Sequence, residues 1–593
     1  MDFGSKDYEL VSAGTRLCYA TGRRNREKGA SMKVVIVGGV AGGATAAARL
    51  RRLDESAEIV VFERSGYISY ANCGLPYYIG GTIADKSALT LQTPESFRAR
   101  FNVDMRTRHE VEAVDAKRHV VTVRNLDTGE VFEEPYDKLI LSPGAKAMIP
   151  NTPGVYSERV LTLRTVEDAL RMRELVETER PERAVVVGGG FIGLETAENL
   201  MEAGVKVTLL QRSEQVLPPL DWDMACELHA HLREKGLDLR FKHAVESYEE
   251  TEDGIIVHVK DRESIKCGFV VLAVGVVPES ELAKAAGLEL GLKGSIKVDS
   301  HMRTSDPDIY AVGDAVEVVN PVTGAPALVA LAGPANKQGR IAADNICGIA
   351  SEYKGTQGST VIKVFDMTAA VTALNEKAAK AAGLSYSKVL GYSASHAGYY
   401  PGGRNMSIKT LFDPDTGRIL GAQIVGFDGV DKRIDVLAAA IRAGLTAEDL
   451  CELELAYAPP YSSAKDPVNM AGFMIQNVMN GIVKQHFPED VPELPRDGSV
   501  TLLDVRTARE FAGGCIEGAV NIPLHELRAR LGELDKSKPV YVNCFSGMRS
   551  YIACRILTGH GFDCSNLAGG WRFYQLVTRE KADNEHYPCG ERK

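Results

Sequence analysis

Residues 32–53 read MKVVIVGGVAGGATAAARLRRL, and this stretch decides the fold. Its opening apolar run is rich in β-branched residues and has the character of a buried parallel strand. Glycines follow at Gly38, Gly39, Gly42 and Gly43, and an alanine-rich helix follows them. Strand, glycine turn and helix together form the opening of a dinucleotide-binding unit, where bare backbone and a helix N-terminus accept a pyrophosphate. The next apolar strand, EIVVFE, ends on Glu63, 20 residues after Gly43, where a carboxylate can accept from ribose hydroxyls. In the G-x-G-x-x-G frame starting at Gly38 the middle position is Val40, so the context carries more weight than the motif.

A second and cleaner copy lies at 183–212, RAVVVGGGFIGLETAENLMEAGVKVTLLQR, with Gly188, Gly190 and Gly193 in the full pattern. One such turn is compatible with a tight strand–helix connection holding no ligand; two in one chain point to two nucleotides. The second copy's strand ends at Gln211-Arg212 instead of an acid, and Arg212 suits a 2′-phosphate, so NADH and NADPH both stay open. A third segment, TSDPDIYAVGDAVE, puts Gly313 and Asp314 after a short strand. Alone it reads equally well as a Gly-Asp turn.

At 593 residues the chain calls for three or more domains. With 45% hydrophobic and 25% charged residues it has an ordinary globular composition. A net charge of −10 argues against a nucleic-acid scaffold, and no apolar run reaches the length of a membrane span. Eleven cysteines, sparse and without close CxxC pairs, fit neither a secreted disulfide framework nor structural zinc. No metal site is expected, and a reducing cytoplasm fits best. Residues 1–31 are polar and basic, lack a signal-peptide core and read as a disordered leader, with Cys18 incidental.

Taken in order, these motifs resemble the pyridine nucleotide-disulfide oxidoreductases with two dinucleotide domains, over roughly residues 32 to 480. The resemblance implies that the Gly313-Asp314 segment is the second FAD motif, with Asp314 near the flavin's ribityl–pyrophosphate region. It also implies FAD-binding parts at 32–150 and 276–330, an NAD(P)H-binding domain at 151–275, and an α+β dimerisation domain at 331–482. The fold class expected is therefore α/β, with two Rossmann-like domains.

Cys73 stands alone in SYANCGLPYYIGG (69–81); a C-x4-C redox pair would need a cysteine where Tyr78 stands. The resemblance narrows to the single-cysteine branch: coenzyme A-disulfide reductases, NADH peroxidases and NADH oxidases. The last two carry a histidine at the position of Ala41, which disfavours them here. Ser69, Asn72, Arg49 and Arg52 match positions that contact coenzyme A in the first group. Arg49 and Arg52 lie one helical turn apart, as two phosphate-binding cations would, although a solvated basic helix face explains them too. A helix starting near GLPYYIGG is expected to lower the Cys73 pKa through its N–H groups and dipole. Tyr399 and Tyr457 best match the two tyrosines that approach the cysteine from a partner subunit, implying a homodimer with shared sites; Tyr400 and Tyr461 lie close by.

The stretch at 483–498 has three prolines and reads as a linker. Beyond it, 499–593 resembles a C-terminal α/β rhodanese domain, with Asp504, Arg506 and Glu510 at its start and CFSGMR as the catalytic loop. Cys-x4-Arg is one residue shorter than the phosphatase Cys-x5-Arg loop, a cradle suited to a sulfur on Cys544, with Arg549 stabilising thiolate or persulfide; a salt bridge from Arg549 that ties the loop is compatible with that role. Cys515, Cys554 and Cys564 read as packing residues.

The whole chain thus resembles the coenzyme A-disulfide reductase–rhodanese fusions, which include NAD(P)H-dependent persulfide and polysulfide reductases. The resemblance implies FAD, NADH or NADPH, and coenzyme A or another low-molecular-weight persulfide as ligands. Cys73 would cycle through a disulfide or persulfide while Cys544 carries sulfane sulfur. A plain coenzyme A-disulfide reductase, an NADH oxidase or peroxidase, and a sulfur-carrier protein are the alternatives.

Overall fold

The computed structural model describes residues 31–586; the leader and Cys18 lie outside the described residues. Each glycine-turn segment folds as the sequence predicts. In the first unit, five parallel strands lie in the order Ile309–Ala311, Lys138–Leu141, Lys33–Val37, Glu58–Glu63 and Asp104–Thr107. The second unit repeats the arrangement with Val160–Leu161, Phe269–Leu272, Arg183–Val187, Lys206–Gln211 and Asp238–Phe241. Their central strands are buried on both faces, hence the unbroken apolar runs.

A five-stranded antiparallel sheet follows, in the order Thr360–Val364, Met367–Ala373, Ile419–Gly426, Asn405–Phe412 and Ser387–Ala394. The last sheet is parallel: Lys484–His486, Cys564–Leu567, Val540–Asn543, Thr501–Asp504 and Val520–Asn521. The mixed α/β architecture matches the class expected from sequence.

Two segments sit differently from the sequence division. The Ala332–Ile346 helix, placed there with the dimerisation domain, crosses the Ala41–Leu53 helix of the first unit at backbone contact. A side chain at Gly339 would collide with the Gly42 carbonyl, so the approach requires glycine. Residues 483–498 are more than a linker. Lys484–His486 pairs with Cys564–Leu567 as an edge strand, and Val491 packs against Leu502 and Leu567. The wholly polar KQH conceals that strand because an edge position tolerates polar side chains. Among the described residues no helix is long and apolar enough to cross a membrane.

Candidate active sites and their neighbours

At the first glycine turn Gly38 has φ +96°, and a side chain there would strike the Ser142 carbonyl; one at Gly43 would strike the carbonyl of Gly38. Gly188 (φ +110°) and Gly193 repeat both constraints against Ala273 and Gly188. Gly190 instead faces open space, the opening a nucleotide backbone needs, and Val40 occupies the equivalent place in the first turn. Gly39 and Gly42 are packed tightly, against Ile68 and Glu63 and against Ser142 and Val312.

Glu63 is buried at its strand end, accepting from the Gly39 N–H at 2.8 Å and the Ser65 N–H at 2.9 Å. In the second unit Gln211 takes this place, accepting from the Gly189 N–H at 3.2 Å, while Arg212 beside it is exposed. The missing acid is thus replaced by an amide making the same turn-closing bond. Gly313 (φ +85°) donates to Gln338, and burial pushes the Asp314 carboxyl up against the pull of Arg164, whose Nη2 lies 3.5 Å away. The close-packed glycines on either side of Val40, a buried strand-end carboxylate and Asp314 fit FAD in the first unit; the open Gly190 turn fits NAD(P)H in the second.

Cys73 is a free, exposed thiol in the 3-10 turn Asn72–Gly74, preceding the helix Leu75–Ile79. That helix is only 5 residues long, too short for the dipole expected of it. The predicted lowering of its pKa is corrected. Packing around the sulfur, then the carboxylates of Glu195 and Asp314, push the thiol up, and Arg164 with the local backbone N–H opposes them only partly. The Cys73 sulfur is reachable by solvent while much of its surroundings is protein, so exposure and an upward shift coexist.

Glu195 is the residue sequence reasoning missed here. Burial and the neighbouring Glu198 push its carboxyl up to about 7, and its charge acts on both Cys73 and Tyr77. An acid in the otherwise apolar first turns of the Phe191–Glu202 helix was the available signal.

Ser69 holds φ +42° and its N–H donates to the Gly39 carbonyl at 2.9 Å, tying the cysteine loop to the first glycine turn. Of the three arginines in RLRRL, Arg51 is buried and donates to five backbone carbonyls, from Asp54, Glu55, Ala57, Phe101 and Asn102. Arg52 is exposed, as a phosphate ligand requires. Arg49 is not a free partner to it: its Nε pairs with Asp344 of the Ala332–Ile346 helix at 2.7 Å. In the antiparallel-sheet domain the Tyr399 and Tyr457 hydroxyls share a hydrogen bond of 2.8 Å on an exposed surface, and that bond raises the Tyr399 pKa. Tyr400 and Tyr461 are also exposed, but the hydroxyl pair singles out the first two.

In the last domain Cys544 is 1% exposed at the end of Val540–Asn543. Its sulfur accepts from the Gly547 N–H at 3.2 Å and the Ser550 hydroxyl at 3.3 Å. Arg549 makes the loop-tying salt bridge: both its terminal nitrogens bind Glu510, at 2.6 and 2.9 Å, and that pairing holds the Glu510 carboxyl down at about 2, while the Cys544 charge also acts on the guanidinium. It acts as a tie between the loop and the Ala508–Ala512 helix, with the sulfur cradle built from Gly547 and Ser550. Asp504 and Arg506, both buried, are bonded to each other, and Asp504 also accepts from Asn543 beside the cysteine. Cys554 and Cys564 lie together in the core of this domain.

Family models match this chain in three places. Pyridine nucleotide-disulphide oxidoreductase covers residues 32–389, its dimerisation domain 359–467, and a rhodanese-like domain 487–576. A coenzyme A disulfide reductase of Staphylococcus haemolyticus is 38% identical over 447 residues, 75% of this chain and 100% of that protein. The crystal structure of reduced Bacillus anthracis CoADR-RHD is 48% identical with a TM-score of 0.91, covering 93% of this chain and 99% of that one. An NAD-dependent persulfide reductase from A. fulgidus is 39% identical with a TM-score of 0.86, over 91% of this chain and 100% of its own.

Proposed function

The chain belongs to the pyridine nucleotide-disulphide oxidoreductase family, and on that premise we propose that it reduces coenzyme A persulfide, polysulfide or coenzyme A disulfide at Cys73 with NAD(P)H, while Cys544 supplies or accepts sulfane sulfur. The observation that carries this is Cys73 itself: a free exposed thiol with Tyr78 where an internal partner would stand. The second sulfur must then come with the substrate. Gly38, Gly39, Gly42, Gly43, Glu63, Gly313 and Asp314 would hold FAD, which when bound relays electrons from the nicotinamide to sulfur. Gly188, Gly190, Gly193 and Arg212 would hold NAD(P)H.

The Cys73 thiolate attacks the carbon-bound sulfur of coenzyme A persulfide, releases HS− and retains coenzyme A as a mixed disulfide. Two electrons then cleave that bond to the Cys73 thiolate and coenzyme A thiolate. Arg52, Ser69 and Asn72 orient the coenzyme, joined by the outer face of Arg49. The Tyr399–Tyr457 pair, supplied by a partner subunit in a homodimer, protonates or orients the leaving sulfur. Ala41 offers no imidazole beside the glycine turn, which disfavours the peroxidase reading. The cellular setting consistent with a free redox thiol is the cytoplasm.

The test is steady-state turnover on coenzyme A persulfide against coenzyme A disulfide, in the intact protein and in Cys544→Ala. Faster turnover on persulfide supports the reading. Exclusive use of coenzyme A disulfide, with Cys544 irrelevant, would make it a plain disulfide reductase.

A further inference from the structure

The Cys544 loop is held from behind by the first turn of the Gly570–His586 helix. The Trp571 N–H donates to the Cys544 carbonyl at 2.7 Å, and the Arg572 N–H to the Phe545 carbonyl at 3.0 Å. Gly570 lets them meet, since a Cβ there would lie 2.7 Å from the Cys544 carbonyl oxygen. Arg572 thus has its main chain bonded to the sulfur loop.

Its side chain is elsewhere. One guanidinium nitrogen donates to Glu227 of the Trp222–Glu234 helix at 2.7 Å, another to the Ser407 hydroxyl at 2.7 Å, and the group stacks 3.9 Å from the Tyr392 ring centre. Ser407 closes the triangle by donating to Glu227 at 2.6 Å. Both charged side chains are largely shielded from solvent, at 17% and 15% exposure, so the pair is stronger than a surface one. Arg572 therefore joins the Cys544 loop, the nucleotide domain and the antiparallel sheet.

The domain has a second attachment that does not involve the loop. Glu580 and Asn584 bond Arg233 at the far end of the Trp222–Glu234 helix. Removing the Arg572 side chain leaves both main-chain bonds to the loop but cuts their tie to Glu227 and Ser407, while the Arg233 anchor keeps the domain attached. A joint of this kind serves loop orientation more than adhesion.

We infer that Arg572 is a positioning residue that fixes the Cys544 loop on the reductase body, so that sulfane sulfur leaves Cys544 within the molecule instead of through bulk solution. This rests on the function proposed above. Coenzyme A thiolate takes the outer sulfur from Cys544 persulfide, leaving Cys544 thiolate and coenzyme A persulfide. Cys73 then attacks the latter, HS− departs, and two electrons from NAD(P)H restore Cys73 thiolate and coenzyme A thiolate. The sum is Cys544 persulfide and NAD(P)H giving Cys544 thiolate, HS− and NAD(P)+. A fixed loop raises the effective concentration of sulfur donor at the reductase face.

The test uses full-length, FAD-loaded protein charged at Cys544 with thiosulfate and desalted. NAD(P)H, coenzyme A and cyanide are then added together, and the ratio of sulfide to thiocyanate is read. In Arg572→Met this ratio is expected to fall about tenfold from wild type. NAD(P)H-dependent reduction of coenzyme A disulfide, and thiosulfate-to-cyanide transfer without NAD(P)H, stay within about twofold, which a general loss of structure would not allow. Glu227→Gln, which keeps the arginine and removes only its counter-charge, moves the ratio the same way and covers the case of a poorly folded Arg572 variant. A wild-type ratio in both variants overturns the positioning role alone. Wild-type protein that releases no NAD(P)H-dependent sulfide from Cys544 overturns the proposed function, and this inference with it.

Discussion

Lys409→Met is expected to loosen the Trp222–Glu234 helix that carries the rhodanese domain. Lys409 is wholly buried, and its ammonium lies 3.0 Å from Asp221 and 2.8 Å from Asp223 and contacts Glu376 directly. Burial works against its charge, but these three carboxylates outweigh it and raise the Lys409 pKa. Glu376 is itself buried against ionisation, yet Lys409 and the second cation, Lys388, hold it down at about 2. Among the described residues Asp221 pairs with no second cation, and burial pushes its carboxyl up in spite of Lys409. Removing one partner of a buried ion pair costs about 3–5 kcal/mol because the other charge is stranded. That is roughly two to three and a half decades in the population of locally open helix.

Hydrogen exchange of the amides in 222–234 reads this directly. The pH dependence fixes the sign. In the wild type the Glu376 contribution is present above its ordinary value of 4.5 and is lost as pH falls through about 2, while the Lys409 contribution is present below 10.5 and is lost only at still higher pH. Between about pH 5 and 10 these two contributions are constant, whereas burial of His229, His231 and Cys226 on the same helix lowers its stability in both proteins as pH falls through 6.5 or rises through 9, so the deficit between variant and wild type is the quantity to read. In the variant Asp221, already pushed up by burial and now without Lys409, relieves its stranded charge by binding a proton, so the deficit at pH 7 should shrink at pH 5. A loss below about 1 kcal/mol, or a deficit that grows on acidification, would refute the reasoning.

Other outcomes follow from the sites. Gly43→Ala drives a Cβ into the Gly38 carbonyl and should abolish FAD retention, whereas Gly193→Ala makes the same clash at Gly188 and should abolish NAD(P)H binding with the flavin spectrum intact; equilibrium dialysis separates the two. Glu195→Gln removes a negative charge acting on Cys73, so the pH profile of Cys73 alkylation should move to lower pH; an unmoved or upward-moved profile would show that Glu195 does not act on the thiol.

The parts of this protein legible in sequence were those built from local backbone constraint. Gly38, Gly43, Gly188 and Gly193 announce their turns because no other residue fits them, and Cys73 and Cys544 each sit in a short motif. What was not legible joins residues distant along the chain. Arg49 was taken by Asp344, 295 positions away. Arg572 finds Glu227 across 345 positions, and Lys409 finds Asp223 across 186. Gln211 looked like a lost acid because the function of Glu63 at its own turn, accepting a backbone N–H, is equally open to an amide. The Cys73 thiol was misjudged for the opposite reason: its five-residue helix was visible, but the carboxylates of Glu195 and Asp314 come to it from far along the chain, the first from the second nucleotide unit and the second from the returning segment of its own.

The most direct test of the central claim is turnover of Cys73→Ser with FAD bound at full occupancy, assayed for NAD(P)H-dependent sulfide release from coenzyme A persulfide. The substitution removes one sulfur atom and leaves both nucleotide turns untouched. The account predicts no sulfide above the rate of the protein-free mixture, with NAD(P)H binding unchanged. Release at the wild-type rate would contradict it and place the chemistry on another residue.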